Sequence, residues 1–123
     1  MGAVIFLVDD DDGSREAMAR ALERVGYQVR PFTAAEDALA ALDRGDVVDV
    51  VVSDVRMPGM SGVECTRIIR ERFPGVQIMM LTTFDDDEYI LQALGHGAVG
   101  YLLKDSDPSF LISAIRSVHR GGV

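Results

Sequence analysis

The chain has 123 residues, 48% hydrophobic and 26% charged, enough apolar material for a single core and too much for a disordered segment. Its 12 Lys+Arg face 20 Asp+Glu, a net charge of −8, which excludes nucleic-acid binding through a broad basic face. Cys65 stands alone, so no internal disulfide forms and a reducing cytoplasm suits the chain; no apolar run reaches the ~20 residues of a membrane helix, and MGAVIFLVDD lacks a signal peptide's basic region.

Apolar runs alternate with helical patterns throughout. Ala3 to Val8 is continuous and β-rich, as a strand buried on both faces should be. Ser14 to Val25 places Met18, Ala21, Leu22 and Val25 at helical spacing before Gly26. Tyr27 to Phe32 reads as a short strand. Thr33-Ala-Ala-Glu36 has the pattern of a capping box, opening a helix with Ala35, Ala38, Leu39 and Leu42 on one face. Asp49 to Ser53 is a third strand, Met57 to Gly62 a loop by its breakers, and Val63 to Phe73 a helix closed by Pro74-Gly75. Val76 to Leu81 and Val99 to Leu103 are the last strands, separated by a helix from Asp85 to Leu94. Asp107-Pro108 opens a final helix whose stripe is Leu111, Ala114, Ile115 and Val118. Five strands alternating with five helices imply one domain over 1–123, an α/β fold with a parallel sheet covered on both faces.

Ligands of open α/β sheets bind beyond the carboxyl ends of the strands. There the first strand ends in Asp9-Asp10-Asp11-Asp12, the third in Asp54, the fourth in Thr82-Thr83 and the fifth in Lys104-Asp105. If the first and third strands are neighbours, Asp9, Asp10 and Asp54 converge, and three such carboxylates need a cation or a raised pKa. An all-oxygen pocket with few protein ligands suits Mg²⁺. With the hydroxyl of Thr82 and the compact charge of Lys104, the set is suited to accepting a phosphoryl group on a carboxylate.

Four segments in this order, Phe6-Leu-Val-Asp-Asp10, Ser53-Asp-Val-Arg-Met-Pro-Gly-Met-Ser-Gly62, Met80-Leu-Thr-Thr-Phe84 and Gly100-Tyr-Leu-Leu-Lys-Asp105, resemble the receiver domains of two-component response regulators. The resemblance spans the chain: the second half is most similar to NarL/FixJ-type (LuxR-type) receivers, the first closer to NtrC-type ones, the pattern of a mosaic. It implies a flavodoxin-like (βα)5 three-layer sandwich with strand order 2-1-3-4-5. It also implies that Asp54 is the phosphoacceptor, that Asp10, Asp54 and the Arg56 carbonyl hold Mg²⁺, and that Asp9 acts mainly through metal-bound water. Thr82 and Lys104 would contact the phosphoryl oxygens, Tyr101 would be the aromatic switch, and Arg56 and Phe84 would tune dephosphorylation. A sensor histidine kinase is the expected donor and pairing with a second copy an expected response. DNA is expected to be met only through an output domain outside this chain, and the expected location is cytoplasmic, with no membrane partner. Asp105 stands where many receivers carry proline.

Other readings of these residues are weaker. Aligning Gly13 with an EF-hand glycine puts Val8 and Ala19 at ligand positions. Asp11 and Asp12 fit a charged helix start, and Asp85 to Glu88 another. A phosphatase resembling the haloacid-dehalogenase group needs an acid two residues after its nucleophile, where this chain has Arg56. A flavodoxin-like flavin carrier would have its phosphate repelled by four aspartates. His96 and His119 lack ligand spacing, and Cys65 reads as a small buried side chain. The expectation is therefore a signalling switch that catalyses only its own phosphorylation and dephosphorylation.

Overall fold

A computed structural model describes residues 3–83 and 87–119. The elements are β1 (Val4–Val8), α1 (Asp12–Arg24), β2 (Gln28–Phe32), α2 (Ala35–Asp43), β3 (Val50–Asp54), α3 (Gly62–Arg72), β4 (Gln77–Thr82), α4 (Asp87–Gly95), β5 (Gly100–Leu103) and α5 (Pro108–His119). The five strands form one parallel sheet in the order β2-β1-β3-β4-β5, as the resemblance implied. Each crossover carries a helix, so the inner strands are covered on both faces and need no polar alternation. Accordingly β3, Val-Val-Val-Ser-Asp, is buried at every residue.

Alternate residues of the strands feed two separate cores. Phe6, Val8, Val51, Ile78 and Met80 pack with Ala35, Ala38, Leu39 and Leu42 of α2, Cys65 and Ile69 of α3 and Ala93 of α4. Ile5, Leu7, Val50, Val52, Met79 and Leu81 pack with Leu22 of α1 and with Leu111 and Ile115 of α5. Fully burying a residue such as Leu22 or Ile115 is worth about 2 kcal/mol, so these two stripes fix which helix lies on which face. β5 is an edge strand, and its alternating exposure leaves Tyr101 and Leu103 half in solvent. No helix among the described residues is long and apolar enough to cross a membrane.

Helix starts are set by side chains that accept orphan backbone N–H groups. Asp11 accepts from Ser14 N at 2.7 Å, Ser61 from Glu64 N at 3.2 Å, and Asp107 from Ser109 N at 2.9 Å, the last with Pro108 in the first helical position as expected. The capping box at Thr33 does not form: the N-cap is Ala34, which supplies no side-chain bond. Glu36, its intended partner, turns away and accepts from Met60 N at 3.3 Å in the loop after β3. Val25 is also misplaced by its spacing, because α1 stops at Arg24 and Val25 is its C-cap, 43% exposed. The expected start of the fourth helix at Asp85 lies outside the described residues, as does Phe84.

Candidate functional site

The β2-β1-β3 order makes β1 and β3 neighbours, with Val8 opposite Ser53, so both acidic ends leave the sheet together. One oxygen from each of Asp9, Asp10 and Asp54 lies within 4.8 Å of the others. Asp9 is fully buried and Asp54 is 6% exposed, whereas Asp10 is open to solvent. Lys104, at the end of β5, crosses the top of β4 and donates from Nζ to Asp9 Oδ1 and Asp54 Oδ2, each at 3.1 Å. Its own backbone N–H bonds the Thr82 carbonyl at 2.8 Å, which fixes where the lysine leaves the edge strand. Thr82 is buried, with Oγ1 3.5 Å from the Leu102 carbonyl. Its exposed neighbour Thr83 lies past the strand end, so the sheet selects Thr82 as the inward hydroxyl.

Electrostatics follow from this geometry. Burial, opposed by the Lys104 hydrogen bond and charge and reinforced by Asp9 and Asp10, raises the pKa of Asp54 above its ordinary 3.8. For Lys104, burial works against the charge, but the hydrogen bonds to Asp54 and Asp9 outweigh it and the pKa is raised. Asp9 Oδ1 accepts from Lys104 and from Asp11 N at 3.0 Å, while buried Asp9 Oδ2 has no hydrogen-bond partner among the described residues. A buried carboxylate oxygen without a donor, beside two further carboxylates, is a donor set that a hard cation fits.

The loop after β3 is held from several sides. Gly62 N donates to the Val55 carbonyl at 2.9 Å, and a Cβ on Gly62 would lie 2.2 Å from the Asp54 carbonyl oxygen. Only glycine allows α3 to start so close behind Asp54. Gly59 turns the loop at φ +77°, above the carboxylate of Glu36. Arg56 is exposed, its guanidinium carbon 5.0 Å from the centre of the Tyr89 ring on α4. Tyr101 is 49% exposed and pairs with Met80, two register steps from the Thr82–Leu103 pair, so Tyr101 and Thr82 belong to the same face of the sheet.

Residues 5–116 match the family model described as the response regulator receiver domain. The chain belongs to that family. It is 37% identical over 121 residues to the transcriptional regulatory protein LnrK of Bacillus subtilis (strain 168), covering 97% of this chain and 54% of LnrK. The DNA-binding transcriptional regulator NtrC of Proteus hauseri is 37% identical over 103 residues, 84% of this receiver and 22% of that protein. A solved two-component response regulator of the LuxR family from Aurantimonas sp. SI85-9A1 superposes with a TM-score of 0.88 at 38% identity, covering 99% of this chain and 88% of that one. Relatives of both the LuxR and NtrC types therefore match, in keeping with the resemblances of the two halves. The receiver spans about half the length of LnrK and less of NtrC. Phosphorylation-based signalling is the function of this family.

The site thus brings together Asp9, Asp10, Asp54 and Lys104 in direct geometry, with Thr82 at its edge. Cys65 is buried, and burial, with the Glu36 charge, pushes its thiol up to about 12, leaving it inert at neutral pH. Arg15 escaped the sequence reading. Its guanidinium donates to the Asp9 carbonyl and to the Asp12 carboxylate. The signal was present in the i, i+3 spacing to Asp12, together with a cation near a helix N-terminus, where the dipole disfavours one.

Proposed function

We propose that this receiver accepts a phosphoryl group on Asp54 from the phosphohistidine of a sensor kinase. The observation that carries the reading is the bridge from Lys104 Nζ to both Asp9 and Asp54 at 3.1 Å, beside the solvent-open Asp10. A carboxylate oxygen of Asp54 attacks phosphorus, the O–P bond forms as the histidine N–P bond breaks, and the imidazole leaves with the electron pair. Lys104, already within hydrogen-bond reach of Asp54, donates to the phosphoryl oxygens. Asp9, Asp10, Asp54 and the Arg56 carbonyl would hold Mg²⁺, which supplies charge neutralisation on the transferring oxygens.

Once Asp54 is phosphorylated, the Thr82 hydroxyl exchanges its long contact with Leu102 for a phosphoryl oxygen. Tyr101, on the same face of the sheet, follows inward. The surface affected carries Tyr89, Leu91, Leu94, Tyr101 and Leu103, exposed apolar side chains of α4 and β5. That face is read by a second copy or by an output segment that contacts DNA, the latter in keeping with the names of the longer relatives, and the switch works in the cytoplasm. The chain turns over no external substrate. Acetyl phosphate with Mg²⁺ is expected to add one phosphoryl group, read by intact mass, and Asp54→Asn is expected to abolish it. Unchanged labelling of Asp54→Asn overturns the reading.

A further inference from the structure

We infer that Arg15 is a positioning residue for cation binding, clamping the turn that presents Asp9 and Asp10. The inference rests on the reading of Asp9, Asp10 and Asp54 as a Mg²⁺ site. Arg15 closes the first turn of α1, where the exposed N–H groups of the helix disfavour a positive charge, yet its side chain is only 13% exposed. Two acceptors hold it there: Nη1 donates to the Asp9 carbonyl oxygen at 2.8 Å and Nη2 to Asp12 Oδ1 at 2.5 Å.

The planar fork therefore bridges the residue after β1 to the first residue of α1, and Asp10 lies within the bridged span. Two further bonds tighten the same turn, from Asp11 N to Asp9 Oδ1 at 3.0 Å and from Ser14 N to Asp11 Oδ2 at 2.7 Å. The four consecutive aspartates thus divide their labour. Asp9 meets Lys104, Asp10 faces solvent, Asp11 caps the helix and Asp12 anchors the arginine.

A cation beside an acidic pocket has two opposing effects on metal affinity. As a charge it repels Mg²⁺, so its removal tightens binding. As a clamp it keeps the carboxylates in place, so its loss weakens binding, and outer partners of this kind typically contribute a factor of about ten or more. Lysine separates the effects, since it retains the charge but lacks the two-pronged geometry.

The test measures thermal midpoint against Mg²⁺ concentration for the wild type, Arg15→Lys and Arg15→Met, with far-ultraviolet circular dichroism in EDTA to verify folding. The expected result is an apparent Mg²⁺ affinity about tenfold weaker in Arg15→Met and also reduced in Arg15→Lys. Tighter binding in Arg15→Met with an unchanged Arg15→Lys overturns the clamp and leaves the Mg²⁺ site standing. A wild type that gains no stability from Mg²⁺ overturns the site reading itself, and the inference with it. If Arg15→Met does not fold, Arg15→Lys decides alone, since a pure charge role requires it to bind as the wild type does.

Discussion

Neutralising the proposed acceptor should stabilise the metal-free protein, although it removes an ion-pair partner. In Asp54→Asn, Lys104 keeps its bond to Asp9 at 3.1 Å. At an effective dielectric of about 20, Lys104 attracts ionised Asp54 by roughly 5 kcal/mol at its 3.1 Å separation. Asp9, with an oxygen within 4.8 Å, repels it by about 3.5 kcal/mol on the same scale, and the solvent-exposed Asp10 adds roughly half of that. Attraction and repulsion nearly cancel, so the desolvation of a carboxylate that is 6% exposed is left without compensation. A gain of about 1.5 kcal/mol on substitution is expected at pH 7 in EDTA, or about 6 °C in Tm.

The pH dependence has a definite sign. Asp54 has its pKa raised by burial, with Lys104 opposing, so protonation favours folding. The stability it contributes is fully present below the ordinary value of 3.8 and is lost as pH rises through the folded-state value. The advantage of Asp54→Asn must therefore be complete at pH 7, shrink on acidification and vanish below 3.8. Urea denaturation of both proteins across this range reads it directly. An Asp54→Asn protein less stable than the wild type at pH 7 without metal, or an advantage untouched by acid, refutes the reasoning.

Further expectations concern the rest of the site. Mg²⁺ should raise the wild-type Tm by mass action, and Asp10→Asn should remove most of that rise; an undiminished rise excludes Asp10 as a ligand. Lys104→Met leaves Asp9 and Asp54 facing each other and should cost about 2 kcal/mol in EDTA by urea denaturation, less than a fully buried pair because the lysine side chain is 17% exposed. Gly62→Ala should destabilise by about 3 kcal/mol, since its Cβ meets the Asp54 carbonyl; a neutral effect means that α3 can withdraw without loss. Phe84→Glu or Phe84→Gln should shorten the lifetime of the phosphorylated protein, followed by phosphate release, and an unchanged or longer lifetime in both excludes Phe84 from tuning dephosphorylation.

The alternation of apolar runs sufficed for the fold because each inner strand is buried on both faces and carries a continuous run of Val, Ile, Leu, Met or Phe. The candidate positions at strand ends were legible because Asp9, Thr82 and Lys104 are the first polar residues after apolar runs, and Asp54 follows the valines of β3 after Ser53 alone. Local signals failed where a distant contact outweighed them. Thr33 and Glu36 carry the residues of a capping box, yet Glu36 gains a bond to Met60 in the loop after β3. Val25 fits the apolar stripe, but one residue beyond the helix its direction is set by the cap. Adjacent aspartates look alike in a sequence, and only the packed turn separates the buried Asp9 from the exposed Asp10.

Locating the phosphoryl group tests the central claim most directly. Borohydride reduces an acyl phosphate to an alcohol, converting a phosphorylated aspartate to homoserine, and peptide mapping then reads its position. After treatment with acetyl phosphate and Mg²⁺, homoserine is expected at position 54 and at no other aspartate. Homoserine at Asp9 or Asp10, or a phosphorylated protein that yields none, would contradict the assignment of Asp54.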